Sequence, residues 1–183
     1  LSYKKGAAII HTIRYLIDDD DMFFQVLRRF LEKYKNDVAT GEDFLHTLNA
    51  TTGQDFTAFF DQWYYGSGYP EYYVNWSSEG DSLKVQLQQS TTADDPKFFT
   101  TPVELKLKSE QAQDTIIQVK PRSASDFFSV YYPADVDSIV IDPNNWILNG
   151  PDVVQTISQT DKSGMEAVLY PNPVQDILHI QMK

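Results

Sequence analysis

The sequence predicts an α+β protein in which a helical part is followed by an antiparallel β-sandwich. Apolar residues recur every three or four positions up to about residue 65, which is the period of helices with one buried face. After Pro70 they recur at every second position, which is the period of half-buried strands. Two glycines and a proline in segment 64–70 break both patterns. We therefore predict a helical unit over 1–70 and a sandwich over 71–149.

Four helices are predicted in the first unit. Each has an apolar face at helical spacing. The faces are Ile9, Ile13 and Ile17 in the first helix; Phe23, Val26, Leu27 and Phe30 in the second; Phe44, Leu45 and Leu48 in the third; and Phe56, Phe59, Phe60 and Trp63 in the fourth. Thr40 and Asp43 have the spacing of a capping box, Gly53 suits a helix end, and Asp55 can cap the fourth helix. The aromatic stripe of that helix is interpreted as core.

The four consecutive aspartates at 18–21 allow two interpretations. Carboxylates at a helix N-terminus accept hydrogen bonds from free N–H groups and complement the helix dipole, which is the favoured interpretation. A calcium loop is the alternative, but the glycine and the closing glutamate of the EF-hand spacing are absent.

Polar and apolar residues alternate in SLKVQLQ at 82–88 and VELKLK at 103–108, which predicts two strands. Further short strands are predicted for TIIQV at 115–119, FFSVYY at 127–132 and SIVI at 138–141. Turn-forming residues separate them, and several short strands at this spacing suggest a sandwich. Residues 150–183 are predicted to form a polar linker, with one short strand allowed, followed by a distinct C-terminal segment.

Composition excludes several classes of function. The net charge is −11, so nucleic acid is not an expected partner, because phosphate binding needs a basic face. There is no cysteine, which excludes disulfides and thiolate chemistry, and no apolar run long enough to span a membrane. The three histidines, His11, His46 and His179, lie on separate elements, and no HExxH motif is present. We therefore expect no metal site built wholly from this chain.

Three aromatic residues at the start of the β part allow two interpretations. Tyr72, Tyr73 and Trp76 would be a sugar-stacking platform if they were exposed together. Packing against the helices is favoured, because aromatic residues are common in strands.

Five short motifs of the helical part occur in the order found in one peptidase family. They are Tyr3-Lys4-Lys5-Gly6-Ala7, Thr40 to Phe44, Thr52-Gly53-Gln54-Asp55, Phe60 to Trp63 and Gly68-Tyr69-Pro70. In this order, over about residues 2–72, the chain resembles the end of the thermolysin-like catalytic domain of the aminopeptidase N family of zinc metallopeptidases. The β-sandwich that follows in that family agrees with the predicted second unit.

The resemblance implies a catalytic role for Tyr3. In the family, the tyrosine of this motif stabilises the transition state, while HExxH and the distal glutamate that bind zinc lie upstream. The chain is then a C-terminal fragment, inactive by itself and without zinc, of a parent protein that hydrolyses peptides. Lys5 and Gly6 are interpreted as structural: the lysine extends its ammonium group to water, and the glycine permits close packing.

The last segment has a resemblance of its own. LYPNPVQDILHI at 169–180 resembles the start of the C-terminal sorting domain of type IX secretion substrates in Bacteroidetes. This implies export to the cell surface or the medium, with the type IX machinery as a partner. The rival hypothesis to a peptidase is a non-catalytic surface β-sandwich that binds protein or glycan, suggested by the aromatic-rich β part.

Overall fold

The computed structural model describes residues 2–156, without the side chains of Ser2, Tyr3 and Thr156. The sorting-domain resemblance at 169–180 lies outside the described residues and stays a prediction, as does the division of the chain into 1–70, 71–149 and 150–183.

Four helices form the first part, as predicted. They are α1 (Ser2–Ile17), α2 (Asp20–Lys33), α3 (Gly41–Thr52) and α4 (Thr57–Phe60). The fourth helix differs from the expected regular one, because it continues as a π-helical turn over Asp61–Tyr65. The wider turn is closed by the Gly66 N–H, which donates to the Asp61 carbonyl oxygen at 2.9 Å. Such single π-turns inside α-helices are uncommon and are frequent at functional sites.

The helix ends confirm the capping predictions for α2 and α3. The prediction for α4 is wrong, because its N-cap is Phe56, which makes no side-chain cap, and Asp55 lies one residue earlier, where it accepts a hydrogen bond from the Thr57 N–H at 2.9 Å. Asp19 is the N-cap of α2, and its carboxylate accepts a hydrogen bond from the Met22 N–H at 2.9 Å. Thr40 and Asp43 form a reciprocal capping box at α3, and Gly53 ends that helix with a positive φ of 70°. The aspartate run is therefore a helix start, which supports the favoured interpretation over the calcium loop.

Seven strands follow. They are β1 (Pro70–Glu79), β2 (Ser82–Thr91), β3 (Val103–Lys108), β4 (Thr115–Val119), β5 (Ser125–Tyr131), β6 (Ser138–Ile141) and β7 (Val153–Thr156). Sheet A has the order β5-β2-β1-β7 and sheet B the order β4-β3-β6. All pairs are antiparallel except β1 with β7. The predicted α+β class is confirmed.

The parallel strand β7 departs from the expected antiparallel sandwich. The chain leaves sheet B after β6 and returns to sheet A beside β1, where Val154 pairs with Val74. β7 therefore runs parallel to β1, and the two strands are joined by a long connection through sheet B and not by a hairpin. β7 is the short strand that the sequence allowed beyond residue 150, and it extends sheet A by one strand.

One cluster of buried apolar side chains joins the helices to both sheets. The aromatic stripe of α4 and the π-turn belongs to it, with Trp63 only 1% exposed, which confirms its interpretation as core. Tyr72 and Trp76 are buried in the same cluster, as the packing interpretation predicted. Tyr73 alternates to the opposite face of β1, so these three rings do not form a common platform.

Candidate functional site

The first turn of α1 contains the predicted catalytic residue, Tyr3. Its side chain is outside what the structure describes, so its catalytic role stays a prediction. Two residues further along, the Lys5 ammonium donates a hydrogen bond to the Gly66 carbonyl oxygen at 2.9 Å. This bond joins the first turn of α1 to the residue that closes the π-helical turn. The backbone that carries Tyr3 is thus tied to a second element of the fold.

The backbone around position 66 leaves no room for any side chain larger than that of glycine. A Cβ atom built at this position would lie 2.3 Å from the Gln62 carbonyl oxygen, which is backbone and cannot move aside cheaply. Partial burial lowers the pKa of Lys5, because the charged form loses hydration. Lys5 therefore differs from the expected solvated lysine, since its ammonium group is engaged by a backbone carbonyl.

The expected close packing at Gly6 is not seen among the described residues. A Cβ atom built on Gly6 meets nothing within 4 Å. Gly6 and Ala7 are both exposed. The sequence pattern identified the glycine but not the side of the helix that it lies on.

The middle of α1 is fixed to the sandwich by the loop between β6 and β7. The Thr12 hydroxyl donates to the Trp146 carbonyl oxygen at 2.8 Å. The rings of His11 and Tyr15 stack on the Trp146 indole, with centroid distances of 4.7 and 5.6 Å. His11 is thus half-buried and packs on Trp146. The role of Trp146 was not evident from the sequence, in which only the turn DPNN directly precedes it.

Burial, together with the charges of Asp142 and Asp152, raises the pKa of the Tyr72 hydroxyl. Asp142 is 4% exposed and accepts hydrogen bonds from the N–H groups of Trp146 and Ile147 at 2.8 and 2.9 Å. Partial burial and the charge of Asp142 raise the pKa of Asp152 to about 6. Burial also raises the pKa of Asp142. The Tyr72 hydroxyl has no hydrogen-bond partner within residues 2–156.

Asp152→Asn is expected to change how stability depends on pH. An aspartate in an unfolded chain has a pKa near 3.9, below its folded value of about 6, so the folded state holds the proton more tightly. The free energy of unfolding should therefore fall as the pH rises through this interval. Because Asp152 is partly exposed, we expect a loss of about 1 kcal/mol, which the variant should not show.

Urea denaturation of both proteins at about pH 4 and pH 7 measures this difference. Asp94→Asn, at an exposed aspartate in the loop after β2, is the matched control. A stability difference between Asp152→Asn and the wild type that is the same at both pH values would contradict the prediction.

The described residues do not fit a zinc site. Among residues 2–156 there is no group of three or more His, Cys, Asp or Glu side chains placed to hold a metal ion. His11 and His46 lie on α1 and α3, and His179 is outside the described residues. Within the same range, no helix is long and apolar enough to cross a membrane.

Sequence comparison relates the helical part to one peptidase family. Residues 1–63 match the model of the peptidase family M1 domain. The chain is 28% identical over 141 residues to probable aminopeptidase 2 of Sulfurisphaera tokodaii, which covers 77% of this chain and 17% of that protein. It is 27% identical over 126 residues to mitochondrial aminopeptidase 2 of Saccharomyces cerevisiae, and this match covers 67% of this chain and 13% of that protein. The chain therefore spans less than a fifth of either relative.

Comparison of structures extends the likeness to the fold. The crystal structure of Legionella pneumophila aminopeptidase A in complex with aspartic acid matches with a TM-score of 0.56 at 19% identity. The match covers 70% of this chain and 15% of that one. Over most of its length the chain is thus similar in fold to a segment of that aminopeptidase, and residues 1–63 are similar in sequence to the M1 peptidase domain.

Proposed function

We propose that this chain is the C-terminal portion of a secreted, zinc-dependent aminopeptidase that hydrolyses peptide bonds. The observation that carries the proposal is the match of residues 1–63 to the M1 peptidase domain, because it includes the Tyr3 to Ala7 motif. The bond from Lys5 to Gly66 supports it, since it fixes the turn on which Tyr3 lies.

Tyr3 is the catalytic residue of the proposal. Attack of water on a peptide carbonyl places negative charge on the carbonyl oxygen, and a donor aimed at that oxygen stabilises the transition state. A phenol has a pKa near 10, so it is protonated at neutral pH and able to donate. Tyr3 would donate this hydrogen bond and leave the proton transfers to other groups.

The remaining parts of the active site would come from outside the described residues. The family resemblance assigns the metal ligands to an upstream catalytic domain of the same protein. That domain and the peptide are the partners of the Tyr3 turn. The exposed Gly6 and Ala7 are small enough to let another part of the protein approach α1 closely.

Export is proposed from the C-terminal segment. The resemblance of 169–180 to a type IX sorting domain suggests secretion or display at the cell surface. Fractionation of cells that express the full-length protein, with and without residues 169–183, tests this. Export independent of that segment would contradict the type IX proposal and leave the peptidase proposal intact.

The function is tested with the full-length protein. We expect it to contain one zinc ion and to release amino acids from peptides, with activity lost on chelation and restored by zinc. The 183-residue chain by itself should show neither property. Stoichiometric zinc and turnover in the isolated chain, or no turnover by the zinc-loaded full-length protein, would overturn the proposal.

A further inference from the structure

The face of sheet A that points away from the core has an unusual composition. Alternate residues of β1 and β2 are buried, and the residues between them lie on the opposite side. We call this side the outer face. It comprises the odd positions 71–79 of β1, the even positions 82–90 of β2 and the odd positions 125–131 of β5, all of them half-buried or exposed. Most of these side chains carry hydroxyl or amide groups.

A row of side-chain amides crosses the outer face perpendicular to the strands. Register places Gln155, Asn75, Gln86 and Phe127 side by side on β7, β1, β2 and β5. At the usual strand spacing the row is about 14 Å long. The Asn75 amide donates to Gln86 Oε1 at 3.3 Å, and the Gln86 amide donates to the Ser125 hydroxyl at 3.2 Å. Each amide has further donors and acceptors available to a ligand.

Two exposed aromatic rings lie on β5, the strand at one end of this row. Phe127 is 68% exposed and Tyr131 is 75% exposed, and both lie on the outer face of β5. Four residues along a strand place them about 13 Å apart. Single exposed apolar residues are common on protein surfaces, but here two exposed rings lie on the same face of one strand, next to the strand that carries Gln86.

The outer face is nearly free of net charge, although the protein carries −11. Between the two glutamates at the ends of β1, its only charged side chain is Lys84, which forms an ion pair with Glu79. An anionic or cationic ligand would therefore find little complementary charge. A neutral ligand with many hydroxyl groups meets no such disadvantage.

We propose that the outer face binds a neutral polysaccharide. Sugar rings present C–H groups that carry partial positive charge, and these pack on the negative faces of aromatic rings such as Phe127 and Tyr131. The amides of Asn75 and Gln86 would exchange hydrogen bonds with sugar hydroxyls, since one amide offers both donors and an acceptor. This activity is independent of the proposed peptidase function, because it uses no residue of the Tyr3 turn.

Affinity electrophoresis of the full 183-residue chain tests the proposal. Native gels would contain soluble mixed-linkage β-glucan, galactomannan or arabinoxylan, with alginate as the anionic comparison. We expect retardation by at least one neutral polysaccharide. In the double variant Phe127→Ala/Tyr131→Ala the apparent affinity should fall about tenfold or more. Gln86→Ala should give a smaller loss. Tyr65→Ala, which removes a 60% exposed ring from the helical part, is the matched control and should bind as the wild type does.

Several results would overturn the proposal. These are no retardation by any neutral polysaccharide, equal retardation of the wild type and the double variant, and retardation by alginate alone. Self-association is measured by sedimentation at several protein concentrations. If the double variant differs from the wild type only because it no longer self-associates, the outer face binds a second copy of the chain instead. Thermal unfolding of every variant checks that the fold is retained, which the exposure of both rings leads us to expect.

Discussion

Tyr3→Phe in the full-length protein is expected to lower kcat for peptide hydrolysis by about 10²–10³-fold. The substitution removes one hydroxyl and keeps the ring, so the loss should be confined to the hydrogen bond donated to the oxyanion. Because that bond is made in the transition state, kcat and kcat/KM should fall together while KM changes little. Steady-state kinetics with a dipeptide substrate, with zinc content measured in both proteins, gives the result.

Lys5→Met is the companion variant for this prediction. It keeps the length and apolar character of the side chain but removes the donor to the Gly66 carbonyl. A looser Tyr3 turn should lower kcat less than Tyr3→Phe does. When the two substitutions are combined, the effect of Lys5→Met should nearly vanish, because it acts through Tyr3. Full activity of Tyr3→Phe at equal zinc content would make Tyr3 a packing residue.

Trp63→Ala is expected to destabilise the chain by about 3–5 kcal/mol. Trp63 is 1% exposed and packs on Phe99 with a ring-centroid distance of 4.4 Å. Its indole N–H also donates to the Thr101 hydroxyl at 2.8 Å. The residue thus connects the π-helical turn to the segment before β3, and its loss leaves both a cavity and a buried unpaired hydroxyl. Urea denaturation of the full chain measures the change.

Two further variants separate the causes of this loss. Trp63→Phe keeps much of the volume and should cost less than alanine does, and Thr101→Val should cost about 1 kcal/mol, because it removes one buried partner. Tyr65→Ala, two residues away and 60% exposed, should change stability by no more than about 0.5 kcal/mol. A Trp63→Ala variant as stable as Tyr65→Ala would show that the two parts of the chain do not depend on this contact.

Local signals in the sequence predicted the helices and most of the strands. The capping box at Thr40 and Asp43 and the glycine stop at Gly53 concern residues three or four positions apart, so their hydrogen bonds are decided within one helical turn. The alternation in β2 and β3 likewise follows from one buried face. The helix start at Asp19 is local in the same sense.

The candidate site was predicted only in part. The motif around Tyr3 identified a residue and, by resemblance, a role, whereas the partner of Lys5 was not evident, because Gly66 is 61 positions away. The sequence suggested a different sugar-stacking platform, at Tyr72, Tyr73 and Trp76, from the outer face proposed here. Burial of two of those rings rules that platform out, and the exposed rings lie on β5 instead.

The sequence by itself determined the order of helices and strands, the caps and the buried faces, because these depend on neighbours within a few residues. The tertiary structure decided the parallel pairing of β7 with β1, the bond between Lys5 and Gly66, and the row of amides from Gln155 to Gln86. Each of these brings together residues far apart in the chain. Side-chain periodicity states which face of an element is apolar, but not which distant element lies beside it.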